Sequence, residues 1–216
     1  QFPVASLPPL PPGTLLSMPL VIPVAHDFTC PWCWIALSQT KRLREAFDVE
    51  FDWRAYELWP EKLPFPEPSA PKPADPKRPA TPSRLELAYA AELMIKPTVK
   101  HGWMRTNQAH QALEYAKSIG QQDAMLDRLY EAHWVAGDNI DDLETLLKLG
   151  EGIVPDRDDL KAAIAEKRFQ DRIVEFDDDA YAAGVFNVPT YWIGGERYAE
   201  QPYSVLAEAI NRALDE

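Results

Sequence analysis

The only two cysteines of the chain lie in the stretch Cys30-Pro31-Trp32-Cys33. The apolar run from Leu20 to Ala25 precedes this stretch and predicts a buried strand, and the residues after it have the periodicity of a helix. Unpaired N–H groups and the positive end of the dipole at the start of a helix favour a thiolate over a thiol. The chain must therefore place a strand directly before a helix, and the junction is suited to thiol chemistry.

The spacing of the two cysteines indicates chemistry rather than structural stabilisation. A disulfide across two residues closes too short a loop to constrain an unfolded chain much, and two cysteines in 216 residues do not make a disulfide scaffold. We expect Cys30, at the helix edge, to be the exposed nucleophile and Cys33, one turn further in, to be the resolving thiol. The expected redox group is the Cys30–Cys33 disulfide itself, with no bound cofactor.

The elements around this pair predict a βαβ unit. A strand is expected over 24–28, with Pro23 at its beginning or at a bulge because proline cannot donate to a ladder. Residues 31–47 predict a helix with proline in its first turn. From Val49 to Ala55 apolar and charged residues alternate, the period of a strand with one buried face. The cysteines then lie at the carboxyl end of the first strand, where open α/β sheets usually place their sites.

The middle of the chain changes to helical patterns. Nine prolines between Pro60 and Pro82 exclude a regular element there and predict an extended linker. Helices are expected from Ser83 to Lys96, over 109–119 and 125–134, from a capping box of Asp141 with Glu144, and after Asp156.

The last part returns to strand chemistry. A final insert helix is expected over 169–180, followed by a strand over 185–193, a hairpin turn at Gly194-Gly195 and a closing helix whose first turn holds Pro202. The predicted fold class is α/β, a βαβ…αββα arrangement interrupted by an α-helical insert.

This order predicts four kinds of segment. Residues 1–18 are expected to be a disordered tail because they are rich in proline and carry no charged side chain. Residues 19–60 and 166–216 would form one discontinuous domain, residues 61–82 the proline-rich linker, and residues 83–165 the helical insert domain.

A formal net charge of −12 limits the partners that the chain can bind. Nucleic acid and anionic membranes would be repelled over most of the surface, and no apolar run is long enough to cross a bilayer. The N-terminus lacks the pattern of a secretory signal, which favours the cytoplasm; a periplasmic or secreted protein whose leader has been removed would look the same. The oligomeric state stays open.

Two residues before the cysteines could modify their chemistry. His26 could stabilise the thiolate of Cys30 or, alternatively, fill space or meet solvent at the strand end. Asp27 would disfavour that thiolate if it lay close. A zinc site would need two more ligands, and the four histidines show no paired spacing, so we expect no metal and predict that the histidines of the insert are exposed or packed helix residues.

Two motifs give the chain a family resemblance. The stretch 27–34, Asp-Phe-Thr-Cys-Pro-Trp-Cys-Trp, resembles the opening motif of the FrnE-like branch of the DsbA family of thioredoxin-fold proteins, and the stretch 184–190, Gly-Val-Phe-Asn-Val-Pro-Thr, resembles its later motif. The resemblance covers residue 19 to the C-terminus. It implies a thioredoxin-like fold and a thiol–disulfide oxidoreductase that acts on protein or small-molecule disulfides, with glutathione as a conceivable co-substrate.

The resemblance also implies which residues face the cysteine pair. In such proteins the bond corresponding to Val188-Pro189 is cis, and the residue before the proline leaves backbone groups free to pair with an extended substrate. Pro31 and Trp32 would set the redox poise and contact substrate.

Two other functions remain open at this point. One is a glutathione-dependent isomerase resembling 2-hydroxychromene-2-carboxylate isomerase, whose relatives have serine at the position of Cys30. The other is a peptide-binding chaperone in which the cysteines matter little. Retention of both cysteines favours redox chemistry, because an isomerase needs no resolving thiol.

Overall fold

Five strands form a mixed sheet in the computed structural model, which describes residues 18–65, 82–92, 104–175 and 187–215. The sheet order is β3-β2-β1-β4-β5. β1 runs parallel to β2, which runs parallel to β3, whereas β4 is antiparallel to both β1 and β5. The bounds are β1 Leu20–His26, β2 Val49–Glu57, β3 Val174–Glu175, β4 Thr190–Ile193 and β5 Glu196–Ala199.

Helices connect these strands and account for most of the described residues between β2 and β3. They are α1 Pro31–Ala46, α2 Arg84–Ala91, α3 Asn107–Ser118, α4 Gln122–Glu131, α5 Leu143–Leu149, α6 Arg157–Ala165 and α7 Tyr203–Leu214. A π-helical turn, Ala132–Ala136, continues α4, and a 3₁₀ turn, Gln170–Arg172, precedes β3. The predicted α/β class is confirmed.

The central strand β1 is longer than predicted, and the reason lies at Pro23. We expected the strand to begin after this proline, but β1 begins at Leu20 and Pro23 pairs with Asp52 of β2 inside the ladder. β4 pairs with β1 only at Val24 and Ala25. At Pro23, β1 therefore pairs with β2 but not with β4. The N–H that proline lacks costs no ladder bond on the side of β4, because β4 does not extend to this residue.

The βαβ unit forms as its patterns predict. Val49, Phe51, Trp53 and Ala55 of β2 are buried, while Glu50 and Arg54 are exposed. Helix α1 begins with Pro31 directly after its N-cap residue, Cys30, and covers the sheet with its buried face. β1 thus leads through a four-residue loop into the helix that carries the cysteines.

The insert helices begin at caps that the sequence indicates, with one shift. Ser83 and Glu86 form the predicted capping box of α2, and Asp156 accepts from the backbone N–H of Asp159 at 2.9 Å. The predicted box of Asp141 with Glu144 is wrong by one position. Asp142 is the N-cap of α5 because its carboxylate accepts from both the N–H and the hydroxyl of Thr145.

The predicted helix over 169–180 is wrong in its described part. Residues 170–172 form a 3₁₀ turn, and Val174–Glu175 then pairs with β2 as the edge strand β3. The apolar spacing of Phe169 and Ile173 reflects burial of both rather than a helical face, because ladder bonds to Tyr56 and Glu57 compensate for the lost helix bonds. Residues 176–180 of this prediction lie outside the described residues.

The C-terminal elements follow the prediction closely. Gly194 and Gly195 turn between β4 and β5 with φ of +57° and +77°, values that glycine adopts without strain. Pro202 is the N-cap of α7 rather than part of its first turn. The predicted strand begins at Thr190, and the part of it over 185–186 lies outside the described residues.

The predicted division into domains stays a prediction. Most of the expected tail, residues 1–17, and most of the expected linker, residues 66–81, lie outside the described residues, as does the predicted continuation of α2 over 93–96. Helices α3, α4, α5 and α6 pack against one another, and α3 also contacts β2. Through α3, these helices therefore adjoin β2, which is the neighbour of the strand that leads to the cysteines.

Candidate functional site

The cysteine pair lies at the amino end of α1, with unequal access for the two sulfurs. Cys30 is the N-cap residue, and its carbonyl accepts from the backbone N–H groups of Cys33 at 3.0 Å and Trp34 at 3.2 Å. Both thiols are free. Cys30 retains 7% of its accessible surface and Cys33 none. Of the two, only Cys30 can be reached from solvent.

Val188 and Pro189, directly before β4, lie beside this pair. The Val188–Pro189 peptide bond is cis, and the Cys30 thiol donates to the Val188 carbonyl at a Sγ···O distance of 3.3 Å. Both residues are buried. The structure thus brings together residues that are 158 positions apart in the chain.

Burial determines the protonation of Cys33. Loss of solvation raises the pKa of the Cys33 thiol well above its ordinary value, and the hydrogen bond with Cys30 and the charges of Cys30 and Asp27 raise it further. A backbone hydrogen bond from Asp27 acts in the opposite direction. Cys33 is therefore held as a thiol while Cys30 is reduced, which suits a residue that acts second.

Asp27 is a buried carboxylate that four donors hold in place. Its Oδ1 accepts from the N–H of Thr29 at 2.8 Å and the Thr29 hydroxyl at 2.9 Å. Its Oδ2 accepts from the N–H of Leu58 at 2.7 Å and the hydroxyl of Thr106 at 3.1 Å. Burial raises the pKa of Asp27 although these bonds lower it. Asp27 thus fixes the loop between β1 and α1 and joins it to β2 and the insert.

His26 fills space in the core rather than facing solvent or supplying charge. It is fully buried, and its Nδ1 lies 3.0 Å from the Tyr130 hydroxyl. The rings of Phe28 and Trp53 lie edge-on, each with its centroid 5.0 Å from that of His26. Burial, followed by the electrostatic interactions with His110 and Lys117, lowers the pKa of His26 well below its usual range. A neutral imidazole adds no positive charge near Cys30.

The insert supplies residues to the site that no sequence signal indicated. The Trp134 indole N–H donates to the Phe28 carbonyl at 2.9 Å, and the Tyr130 hydroxyl donates to the Asp27 carbonyl at 3.4 Å. The Tyr130 ring packs on Phe28 with centroids 5.0 Å apart. These contacts span more than 100 positions in the chain, and local periodicity marks such residues only as core.

A groove of about 200 Å³ opens beside Trp32 and Pro189. Arg84 of α2 places its guanidinium 4.5 Å from the centroid of the Trp32 ring and pairs with Glu200 at 2.8 Å. Trp32 is half-buried, so one edge of the cysteine motif stays accessible along this groove. The lining residues are Trp32, Ile35, Gln39, Arg84, Ala88, Ala91, Glu92, Pro189, Glu200, Gln201 and Pro202.

Glu92 anchors α2 beside that groove. It is buried, and its carboxylate accepts from the Gln39 side chain at 3.0 Å, from Arg42 at 2.9 Å and from the N–H of Tyr203 at 3.1 Å. These donors come from α1 and α7. One carboxylate thus ties the first insert helix to the helix that carries the cysteines.

Among the residues that the structure describes, no group of three or more His, Cys, Asp or Glu side chains could hold a metal ion. His110 and His133 of the insert are packed rather than exposed. Within the described ranges, no helix combines the length and the apolar character that crossing a bilayer requires.

Solved structures and a sequence relative resemble this chain over most of its length. A probable DsbA oxidoreductase from Streptomyces coelicolor has a TM-score of 0.65 at 22% identity, covering 91% of both chains. The 2-hydroxychromene-2-carboxylate isomerase has a TM-score of 0.62 at 18% identity, covering 89% of this chain and 95% of that one. The cytosolic disulfide reductase DsbM from Pseudomonas aeruginosa, solved with glutathione, has a TM-score of 0.52 at 19% identity, covering 89% and 100%.

The sequence relative is the uncharacterized protein YwbO of Bacillus subtilis (strain 168), which is 27% identical over 182 residues, or 82% of this chain and 88% of the relative. The family model described as the DSBA-like thioredoxin domain matches residues 21–211. This match confirms the predicted thioredoxin-like fold and the family resemblance. The chain belongs to the DSBA-like thioredoxin domain family.

Proposed function

We propose that this protein is a disulfide oxidoreductase that exchanges electrons through Cys30 and Cys33. The observation that carries the proposal is the position of Cys30 at the start of α1, with its sulfur 3.3 Å from the Val188 carbonyl and Cys33 buried behind it. One sulfur is placed to meet a substrate and the other to resolve the product.

The reductive direction has two steps. The Cys30 thiolate attacks one sulfur of a substrate disulfide, a Cys30–substrate disulfide forms, and the second substrate sulfur leaves as a thiolate. Cys33 then loses its proton, attacks the Cys30 sulfur and releases the first substrate sulfur as a thiolate. The substrate gains two electrons, and the protein is left with the Cys30–Cys33 disulfide. The oxidative direction is the reverse.

The Val188 carbonyl has a different role in each step. In the reduced protein it accepts from the Cys30 thiol. Once Cys30 is bonded to a substrate sulfur, that donor is gone and the carbonyl is free to accept an N–H of an extended substrate. Pro189 and Trp32, on the wall of the adjoining groove, would contact the substrate on either side, with Pro31 holding the helix start.

A small thiol would return the pair to its starting state. Two glutathione molecules can reduce the Cys30–Cys33 disulfide and leave as one glutathione disulfide, which balances the electrons. The likeness to the cytosolic reductase DsbM, solved with glutathione, supports glutathione as the co-substrate and the cytoplasm as the compartment.

Trapping with Cys33→Ser tests this mechanism. The variant should form a stable mixed disulfide at Cys30 with a chromophoric disulfide, release about one thiolate per protein and then stop, because the resolving sulfur is missing. The matched variant Cys30→Ser should form no adduct. Continued turnover by Cys33→Ser at the wild-type rate would overturn the assignment.

The isomerase alternative is supported by the likeness in fold to 2-hydroxychromene-2-carboxylate isomerase. The same Cys33→Ser variant separates the two functions, since isomerisation of 2-hydroxychromene-2-carboxylate with glutathione would survive loss of the resolving thiol. Client protection that persists in a Cys30→Ser, Cys33→Ser double variant would instead indicate a chaperone.

A further inference from the structure

A polar cavity of about 510 Å³ lies between the end of β2 and the insert helices α3 and α6. Its volume is typical of a small-molecule site. Among the described residues, the carboxylates that line it are those of Glu57, Glu61, Asp141 and Glu175. The cavity shares no lining residue with the groove beside Trp32, and neither cysteine reaches it. The proposed disulfide exchange therefore does not use it.

Glu57 is a buried carboxylate with no cation paired to it. It keeps 2% of its accessible surface, and it forms no ion pair among the described residues. Glu57 is also the register partner of Glu175, so two carboxylates lie opposite each other on adjacent strands, where like charges repel. Burial is the main cause of a raised pKa of Glu57, and the charges of Asp27 and Glu175 raise it further. A positive ligand beside Glu57 would offset this penalty.

Asn107 offers an unused hydrogen-bond acceptor in the same cavity. Its Nδ2 donates to the Glu57 carboxylate at 3.1 Å and to the side-chain oxygen of Gln170 at 3.0 Å, and these two acceptors fix the orientation of the amide. Its Oδ1 is buried and has no hydrogen-bond partner among the described residues. A buried acceptor without a donor costs free energy. An N–H group of a ligand in the cavity would satisfy it.

The positive side chains at the cavity are already engaged elsewhere. Arg105 donates to three backbone carbonyls of the segment 59–63 at 2.6 to 2.8 Å. The other two cations are in ion pairs, which are Lys167–Glu61 at 3.6 Å and Lys62–Glu175 at 2.8 Å. The protein itself therefore supplies no cation that neutralises Glu57.

The spacing of the carboxylates favours an organic cation over a metal ion. Within the described ranges, no three His, Cys, Asp or Glu side chains are placed so that they could hold a metal. Glu57 and Glu175 end neighbouring strands, whereas Asp141 lies in the loop before α5. Carboxylates that line one cavity without meeting at one point complement a ligand whose positive charges are spaced along a chain. The net charge of −12 attracts such a ligand to the protein.

We propose that this cavity binds a linear polyamine, with one ammonium group between Glu57 and the Oδ1 of Asn107 and another beside Asp141. Ammonium N–H groups donate to the carboxylates and to the free amide oxygen. The methylene chain packs along Ile164 and Ala165, the apolar residues of the lining. The inference is independent of the proposed oxidoreductase function, because it involves neither cysteine.

Isothermal titration calorimetry on the full chain tests the inference, with spermidine as the probe. n-Butylamine, which carries one ammonium group, and magnesium chloride are compared at matched ionic strength. Glu57→Gln removes the buried charge and keeps an acceptor for the Asn107 amide, and Asp141→Asn removes the second carboxylate. Glu50→Gln is the matched control, because it removes one exposed charge near the opposite end of the same strand.

Wild-type protein should bind about one spermidine per chain, and n-butylamine should bind at least about tenfold more weakly. Glu57→Gln should weaken spermidine binding about tenfold and Asp141→Asn about threefold, whereas Glu50→Gln should stay within about twofold of wild type. Saturating spermidine should raise the Tm of wild type and of Glu50→Gln but not that of Glu57→Gln. Without ligand, Glu57→Gln should melt no lower than wild type, because it loses an unpaired buried charge.

Each opposite result would overturn the proposal. Equal affinities of Glu57→Gln and Glu50→Gln would show general attraction of a polycation to an acidic protein rather than a site. Binding of n-butylamine as tight as that of spermidine, or displacement of spermidine by equimolar Mg²⁺, would exclude a polyamine as the ligand. If Glu57→Gln does not fold, Asp141→Asn decides, since an unchanged affinity in that variant contradicts the proposal by itself.

Discussion

Replacing His110 with phenylalanine should remove a large part of the acid sensitivity of this protein. His110 lies in α3 with no accessible surface, and among the described residues neither of its ring nitrogens has a hydrogen-bond partner. Burial, followed by the positive charge of Lys117, lowers the pKa of His110 from its ordinary value of 6.5 to about 3. The folded protein therefore holds a neutral imidazole over a range in which the unfolded chain is protonated.

The sign and size follow from proton linkage. Below pH 6.5 the unfolded state binds a proton at His110 that the folded state does not bind until about pH 3. Stability therefore falls as the pH falls through this window. At pH 5, which is 1.5 units below the ordinary pKa of 6.5, protonation of His110 in the unfolded chain lowers the free energy of unfolding by about 2 kcal/mol. His26, whose pKa is also lowered, acts in the same direction and remains in the variant.

Phenylalanine suits this position because aromatic rings surround it. The His110 ring lies 4.9 Å from Phe28 and 5.2 Å from His26 between centroids. Phenylalanine keeps these contacts and removes two buried polar atoms. The free energy of unfolding between pH 7.5 and pH 5 should therefore change by about 2 kcal/mol less in His110→Phe than in wild type.

Urea unfolding under a reductant that works at both pH values measures this difference. Tyr115→Phe is a matched control in the same helix, because it removes the hydrogen bond from its hydroxyl to Asp159 at 2.9 Å but no group that titrates between pH 5 and 7.5. It should lower stability equally at both pH values. The same pH dependence in His110→Phe as in wild type would refute the reasoning.

Three further changes test other parts of the structure. Asp27→Asn removes a negative charge that raises the pKa of Cys33. The pH at which the release of the mixed disulfide reaches half its maximal rate, measured by stopped-flow, should therefore fall. Glu92→Gln leaves Arg42 without its partner carboxylate and should cost about 1–2 kcal/mol in urea unfolding. Gly195→Ala places a side chain at φ +77° with no nearby atoms to obstruct it, so it should cost only about 1 kcal/mol of backbone strain, measurable as a lower Tm.

The elements with strong local signals were predictable from the sequence. The alternation from Val49 to Ala55 describes β2, and Ser83, Asp156 and the two glycines at 194–195 mark boundaries that the structure has. These signals succeed because the determining interaction lies within four residues. A capping side chain or a positive φ does not depend on the rest of the fold.

The wrong predictions concern segments whose structure depends on pairing with a strand that is distant in the sequence. Pro23 sits inside β1 because β4 pairs only with Val24 and Ala25, which no local rule reveals. Val174–Glu175 forms a strand because β2 offers a free edge, although the surrounding spacing resembles that of a helix. Ladder bonds to a neighbour outweigh local propensity in both cases, since propensity differences are well under the energy of several hydrogen bonds.

The unequal chemistry of the two cysteines involves the insert as well as the motif, because Tyr130 interacts electrostatically with both sulfurs. Cys30 is the N-cap residue of α1 and Cys33 lies one turn further in, so the motif itself already gives Cys30 the position closer to the helix end and to solvent. Tyr130 and Trp134 close over the loop before Cys30, while Thr106 helps hold the buried charge of Asp27 that disfavours ionisation of Cys33. Burial is the largest cause of the raised pKa of Cys33, which makes the proton of this thiol hard to remove. In the proposed mechanism Cys33 resolves the mixed disulfide, so substitutions of Thr106, Tyr130 or Trp134 should alter release before they alter attack.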